Sequence, residues 1–181
     1  IHRTKKINDP LSVIELPKHK DIKTIENKNC LLKTLSLANC QTREKKIYWK
    51  GSPLVRRNVP SGGSRHPIET YLVSHNIEDI ESGIYHINIS DLELRCISKN
   101  TENKFKNTFD GILIFTAVYA RNMFRYREPR TFRSVHMDAG HLIELNRILL
   151  SRIGCNTEIT FSGLHEFEQM LNVDGISESF I

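Results

Sequence analysis

The sequence has no apolar stretch long enough to cross a membrane. Its longest apolar segment, residues 112–120, is interrupted by Thr116, whereas a transmembrane helix needs about 20 predominantly apolar residues. The first residues, IHRTKKINDP, carry charge without the apolar stretch of a secretory signal peptide behind it. We therefore expect a cytoplasmic protein that does not contact membranes.

Cysteine is scarce, and common ligand-binding motifs are absent. The four cysteines are scattered, with no pair at metal-ligand spacing, so we expect free thiols rather than disulfides or a metal site. Neither a P-loop nor a G-x-G-x-x-G pattern occurs. His66, His86, His136 and His141 fall on separate predicted elements, so we interpret them as structural histidines.

Charge does not point to a function class. The chain has 181 residues, 39% hydrophobic and 26% charged, which fits a single soluble domain over residues 1–181. A net charge of +5 is compatible with nucleic-acid binding, but the basic residues are interspersed with acids. The two basic concentrations, at residues 3–6 and 121–133, are interpreted as solvated faces, and no nucleic-acid partner is expected.

Hydrophobic periodicity predicts an α+β fold, with an antiparallel sheet and helices packed against it. Helices are predicted at residues 9–17, 22–40, 101–108, 132–153 and 162–171. Strands are predicted at residues 70–73, 84–89, 92–96, 112–118 and 157–161. Residues 41–66 are rich in Gly and Pro and are predicted to form a long functional loop.

Three segments resemble the SagB-type dehydrogenases of thiazole- and oxazole-modified peptide pathways, which are nitroreductase-like flavoenzymes. They are PSGGSRHPIETYLV (residues 60–73), SGIYHI (82–87) and MDAGHLIELN (137–146). The resemblance runs from about residue 56 to 175 and keeps the family's order and approximate spacing of motifs. It implies a nitroreductase-like fold, with a central, mainly antiparallel sheet flanked by helices. It also implies FMN at the interface of a homodimer or pseudo-dimer.

The resemblance further implies a set of cofactor-binding residues. Part of the flavin site would lie in the loop 41–66, where residues 60–63 match the family loop that lies against the flavin ring. The segment Arg3-Thr4-Lys5-Lys6 resembles the family's Arg-Ser-x-Arg phosphate segment, although Lys cannot clamp a phosphate in the bidentate way of Arg. Asn146 matches an Asn of the family's long central helix, with a helix cap or an inter-helix hydrogen bond as the alternative role. The implied cofactor residues are Arg3, Thr4, Lys6, Pro60, Ser61, Gly62, Gly63 and Asn146.

The catalytic residues implied by the resemblance are Tyr126 and Arg125. The family has a Lys-Tyr pair after the apolar strand, and this chain has Arg125-Tyr126. Azoline oxidation removes a hydride, received by flavin N5, and a proton that a base must take. Arg stays protonated, so it cannot accept the proton. The charge of Arg125 would instead favour the ionised form of Tyr126, which becomes the candidate base. The alternative is that both are surface residues on a basic loop.

The implied function is FMN-dependent oxidation of thiazoline or oxazoline rings in a ribosomally made peptide, with a cyclodehydratase complex as a further partner. One alternative is a non-catalytic assembly subunit, which the altered phosphate segment and Arg125 would suit. Another is an NAD(P)H-dependent nitro or quinone reductase. The family usually continues through another strand beyond Ile181. A disordered or removed tail, a divided tandem protein and a shortened variant are all open explanations.

Overall fold

The computed structural model describes residues 5, 7–25, 29–49, 52–160, 164–171 and 173–181. The strands are β1 Ser12–Glu15, β2 Gln41–Trp49, β3 Ser52–Arg57, β4 Ile68–Ser74, β5 Gly83–Asn88, β6 Glu93–Ser98, β7 Gly111–Ala117 and β8 Ser179–Phe180. The helices are α1 Cys30–Asn39, α2 Ala120–Tyr126, α3 Thr131–Arg152 and α4 Leu164–Leu171. Six strands form one antiparallel sheet in the order β1-β6-β5-β4-β7-β8, and β2 pairs with β3 in a separate hairpin. The α+β class is confirmed.

Strand β4 lies at the centre of the sheet, and all its residues are buried. Ile68 packs with apolar residues of α3, and Leu72 packs with Leu35 of α1. Tyr71 and Val73 alternate with them and pack in a cluster that includes residues of α4. Because side chains alternate along a strand, helices α1 and α3 lie on one face of the sheet and α4 on the other. The sheet is therefore covered on both faces, as the apolar strand sequences predict.

Two buried asparagines join α1 to α3. The side-chain nitrogen of Asn39 donates to Oδ1 of Asn146 over 3.0 Å, and that of Asn146 donates back to Oδ1 of Asn39 over 3.3 Å. Thr70 of β4 also donates to Asn39, and Asn146 donates to the carbonyl oxygen of Leu142. The amides thus satisfy each other in a dry helix contact and fix the register of α3 over the sheet.

The N-terminal third departs from prediction. Residues 9–17 were predicted to be helical, but they contain strand β1, which pairs with β6. Two prolines bracket a segment too short for a stable helix, and its β-branched residues suit an edge strand. The helix predicted at 22–40 begins only at Cys30, after Asn29, whose φ of 60° lies in the left-handed region.

The long loop predicted at 41–66 is also wrong over its first two thirds. Residues 41–49 and 52–57 form the β2-β3 hairpin, and residues 58–66 lack strand structure. Gly and Pro were taken as loop signals, whereas β-branched and aromatic residues on both sides of a central Gly favour a hairpin.

Further differences lie nearer the C-terminus. The helix predicted at 101–108 is a series of turns, and residues 157–160 form no strand. Helix α2 was not predicted, and neither was strand β8, which pairs with Thr116 and Ala117 of β7. The predicted helix cap at 162 lies outside the described residues. All four cysteines are free, as expected.

The described residues contain neither a candidate membrane span nor a candidate metal cluster. No helix among them combines the length and apolar character needed to span a bilayer. Within the same residues, no group of three or more His, Cys, Asp or Glu side chains is arranged to hold a metal ion.

Replacing Asn146 tests the α1-α3 contact. Asn146→Ala leaves the buried amide of Asn39 without its main side-chain partner, so we expect the free energy of unfolding to fall by about 2 kcal/mol. The exposed substitution Asn107→Ala is the matched control and should leave it nearly unchanged. Denaturant unfolding of protein without ligand measures both, and equal stability of the two variants would contradict the assignment.

Candidate functional site

The segment that follows the hairpin, Pro60-Ser61-Gly62-Gly63, is called the PSGG loop here. It leads directly into β4 through backbone with three positive φ angles: 59° at Gly63, 53° at Ser64 and 47° at His66. Non-glycine residues rarely adopt this conformation, and each costs of order 1 kcal/mol or more. Such strain persists only where surrounding contacts hold the backbone. Contacts with the rest of the protein must therefore hold the loop in this conformation.

Asp138 of α3 holds the loop through hydrogen bonds to its carboxylate. The hydroxyl of Ser61 donates to Oδ2 of Asp138 over 2.7 Å, and the amide of Gly62 donates to the same carboxylate at 3.3 Å. The Ser61 oxygen also accepts from the amide of His66 over 2.8 Å. Burial raises the pKa of Asp138 above its ordinary value, although the bonds from Ser61 and Gly62 act in the opposite direction. A single side chain thereby fixes the two middle residues of the loop.

Tyr126 lies against the PSGG loop. A Cβ atom placed on Gly63 would be 2.6 Å from the Tyr126 hydroxyl oxygen, so only glycine leaves room for the phenol. A Cβ on Gly62 would be 3.9 Å from its nearest neighbours, which include the amide of Asn122. Tyr126 is 43% exposed, so solvent still reaches it beside the loop. The structure therefore brings together two predicted site elements that are distant in sequence.

Arg121 anchors the start of α2. Its Nη1 donates to the carbonyl oxygen of His66 over 2.9 Å, and its Nη2 forms a buried ion pair with Glu69 of β4. Glu69 also accepts from Nε2 of His86 over 2.8 Å, so His86 is a structural histidine, as expected. Burial alone would raise the pKa of Glu69, but the hydrogen bond from His86 and the charge of Arg121 outweigh it and lower the pKa to about 2. Glu69 therefore stays ionised at neutral pH and holds α2 in place.

The buried network continues to Lys5. The backbone amide of Lys5 donates to Glu69 over 3.2 Å, and its ammonium group contacts the hydroxyl of Tyr71 at 2.6 Å and Glu178 at 2.7 Å. Tyr71 donates to Glu178 as well, over 2.7 Å. Burial, followed by the charge of Glu178, raises the pKa of Tyr71. Lys5 thus makes these contacts with buried residues of the protein.

The remaining predicted residues occupy different settings. Arg3, Thr4 and Lys6 lie outside the described residues. Asn146 makes the inter-helix hydrogen bonds that were its alternative role, and a cofactor contact for it remains a prediction. Arg125 is exposed near the end of α2, beside Tyr126.

A small cavity lies behind the PSGG loop. Its volume is about 10 Å³, which is room for about one water molecule. It is lined by Arg57, Val59, Pro60, Ser61, His66, Pro67, Ile68, Asp138 and Leu142. An organic cofactor is too large for this cavity, so it would have to lie on the outer side of the loop.

Sequence reasoning missed Asp138, Glu69 and Arg121, although signals for them existed. Asp138 falls between Val135 and Leu142 at helical spacing, on the stripe predicted to be buried. Glu69 lies inside an apolar strand, where a carboxylate needs a buried partner. Nothing in the sequence separates Arg121 from the exposed arginines that follow it, and the solvated face predicted at 121–133 is wrong for this residue, which is 4% exposed.

Solved structures with the same fold support the topology. The chain aligns over its full length with 39% of a nitroreductase-like protein of Anabaena variabilis, with a TM-score of 0.76 and 21% identity. It also aligns over 98% of its length with 75% of a chain in the Escherichia coli microcin synthetase McbBCD complex with truncated pro-MccB17 bound, with a TM-score of 0.65 and 18% identity. These likenesses establish a nitroreductase-like fold.

Sequence comparison gives the family, although no protein-family model matches the chain. The trifolitoxin-processing protein TfxB of Rhizobium leguminosarum bv. trifolii is 37% identical over 161 residues, which are 80% of this chain and 43% of TfxB. The microcin B17-processing protein McbC of Escherichia coli is 26% identical over 120 residues, 58% of this chain and 44% of McbC. The predicted resemblance to SagB-type, nitroreductase-like proteins is thereby confirmed. The chain spans less than half the length of these two relatives.

A pair of glycine substitutions tests the contact between the PSGG loop and Tyr126. Gly63→Ala places a methyl group 2.6 Å from the phenol oxygen at a φ of 59°, so we expect a loss of stability of about 1–2 kcal/mol and displacement of Tyr126. Gly62→Ala makes only ordinary van der Waals contacts, the nearest at 3.9 Å, and should be close to neutral. Thermal unfolding and tyrosine fluorescence measure the two effects, and identical behaviour of the variants would refute the packing.

The pKa of Glu69 predicts a pH dependence of stability. Its pKa falls from an ordinary 4.5 to about 2 on folding, so its contribution is present above pH 4.5 and is lost as the pH falls towards 2. Glu69→Gln leaves Arg121 without a buried counter-charge, and we expect a loss of about 3–5 kcal/mol at neutral pH.

The stability difference between wild type and Glu69→Gln should shrink below pH 4.5. There the unfolded wild-type chain takes up a proton at Glu69, whereas the folded protein keeps Glu69 ionised until the pH approaches 2. Glu144→Gln, which removes an exposed pair with Arg147, is the control and should change stability very little. A difference that stays constant down to pH 2 would show that Glu69 does not carry the effect.

Proposed function

We propose that the chain carries the flavin site of an FMN-dependent dehydrogenase that oxidises thiazoline or oxazoline rings to thiazole or oxazole in a ribosomally made peptide. The observation that carries this proposal is the contact between the Tyr126 hydroxyl and Gly63 of the PSGG loop. It holds a proton-accepting group at the loop that, in the family, meets the flavin. The relatives TfxB and McbC are both peptide-processing proteins, which supports a peptide substrate.

The described residues fit a flavin ring. The two glycines of the PSGG loop carry no side chains of their own, and Tyr126 lies against Gly63. A flat ring could approach the loop backbone beside Tyr126. Within the described part of the chain, the buried atoms Oδ1 of Asn122 and Nε of Arg65 have no hydrogen-bond partner. An acceptor and a donor of this kind suit a ring edge that both donates and accepts. When bound, FMN would supply the acceptor for the hydride.

The residues of the protein would accept the proton that is removed from the azoline ring. Azoline oxidation removes a hydride and a proton from adjacent ring atoms, and the ionised phenol of Tyr126 would take the proton. Arg125 cannot act as a base, because its guanidinium has no site that accepts the proton. Asp138 and Arg121 would act as positioning residues, because they fix the loop and α2 respectively.

The proposal extends to partners and location. The solved McbBCD complex has a truncated peptide precursor bound, which supports assembly of the present chain with a cyclodehydratase. A homodimer or pseudo-dimer would complete the flavin site, and a cytoplasmic location fits peptide modification before export.

The test begins with the absorbance spectrum of the purified protein and the chromophore that heat releases. Protein loaded with FMN is then given an azoline peptide under air, and we expect the peptide to lose two hydrogens in mass. Tyr126→Phe should slow this oxidation by about 100-fold or more with the flavin spectrum unchanged. Tyr119→Phe, at the other end of α2, is the matched control.

Each other outcome points to a different conclusion. Full activity of Tyr126→Phe would exclude Tyr126 as the base. Protein that takes up no FMN but is still required by the modifying complex would indicate a non-catalytic assembly subunit. Rapid reduction of the bound flavin by NAD(P)H, with no change in the azoline peptide, would indicate a nitro or quinone reductase.

A further inference from the structure

Helix α2 and the first turns of α3 present apolar and basic side chains to solvent beside Tyr126. Phe124 is 62% exposed, Phe132 48% and Met137 66%. Exposed phenylalanines in a short segment mark a surface that is covered in use. This surface, residues 123–137, is called the α2-α3 strip here.

The strip is continuous across the two helices. The ring of His136 lies 6.3 Å from that of Tyr119 and 6.2 Å from that of Phe132, so it bridges α2 and α3. The guanidinium of Arg133 lies over the Phe132 ring at 6.0 Å. On α2, Met123 follows Tyr119 by one helical turn, and Tyr126 follows Met123 by nearly another. The strip therefore leads from α3 to the hydroxyl at Gly63.

The α2-α3 strip carries a net positive charge. Residues 123–137 contain four arginines and a single acid, Glu128. Arg130 pairs with Glu128, but both side chains are exposed, and such pairs contribute little. Neither Arg127 nor Arg133 makes an ion pair with any described residue, and the Arg133 guanidinium lies over the Phe132 ring. The strip thus keeps a positive potential next to its aromatic rings.

We propose that the α2-α3 strip docks an acidic segment of the peptide substrate, one that carries Asp or Glu beside apolar or aromatic residues. The inference rests on the proposed function, since it supposes that a peptide is brought to Tyr126. Arginine and aromatic side chains dominate binding in peptide and protein recognition. The positive strip attracts carboxylates, and its rings accept apolar side chains. A second copy of this chain fits poorly, because two-fold symmetry would bring two arginine-rich strips together.

The experiment measures binding, with no turnover. The probes are a fluorescein-labelled peptide of alternating Glu and Leu or Phe, and two versions in which Gln or Lys replaces Glu. We expect the acidic peptide to bind about 10-fold or more tightly than the Gln peptide, with an affinity that falls as salt is raised. The double variant Arg130→Glu/Arg133→Glu should lose this preference, and acids in the first turn of α3 do not harm the helix.

Arg152→Glu is the control, because it reverses one charge on the same helix about 28 Å from Arg133. It should bind like the wild type. Equal affinity for the acidic and Gln peptides, or an unchanged preference in the double variant, would overturn the proposal. So would a dimer, seen by light scattering, that the double variant dissociates. FMN uptake is measured separately, so failure of docking is distinguishable from failure of the flavoenzyme assignment.

Discussion

The ion pair between Glu69 and Arg121 organises the candidate site. Glu69 lies on the central strand, with both faces of the sheet covered, and Arg121 begins the helix that carries Tyr126. The same guanidinium binds the carbonyl of His66, where the strained loop joins the strand. Strand, loop and helix therefore meet at one side chain. Neither charge can be removed alone, because its partner would remain buried and uncompensated.

A second anchor acts on the other side of the loop. Asp138 of α3 accepts hydrogen bonds from the Ser61 hydroxyl and the Gly62 amide. Helix α3 is itself fixed to α1 through the paired asparagines. Between these two anchors, left-handed backbone at Ser64 and His66 is sustained despite its cost. The loop is rigid because helices on one face and buried charges on the other hold it from two directions.

The helices and strands that depend on local sequence patterns were predicted from the sequence. The central strands β4 to β7 and the long helix α3 have continuous or periodic apolar residues, and the predicted positions hold within a few residues. The segments around Pro10 and Pro53 were misassigned, because strand pairing there overrides local breaker signals. The PSGG loop and Tyr126 were found through family motifs, which carry order but no distances. Arg121 could not be found, since its burial depends on the distant carboxylate of Glu69.

The anchors of the site all lie behind it, whereas groups such as Phe124 and Arg127 face outwards. Exchange of outward side chains away from packing contacts usually changes stability by no more than about 0.5 kcal/mol. Selection can therefore alter which molecules approach Tyr126 without disturbing the scaffold that aims it. In this architecture the evolution of recognition is largely separated from the maintenance of the fold, and related chains can diverge in specificity while keeping the same buried charges.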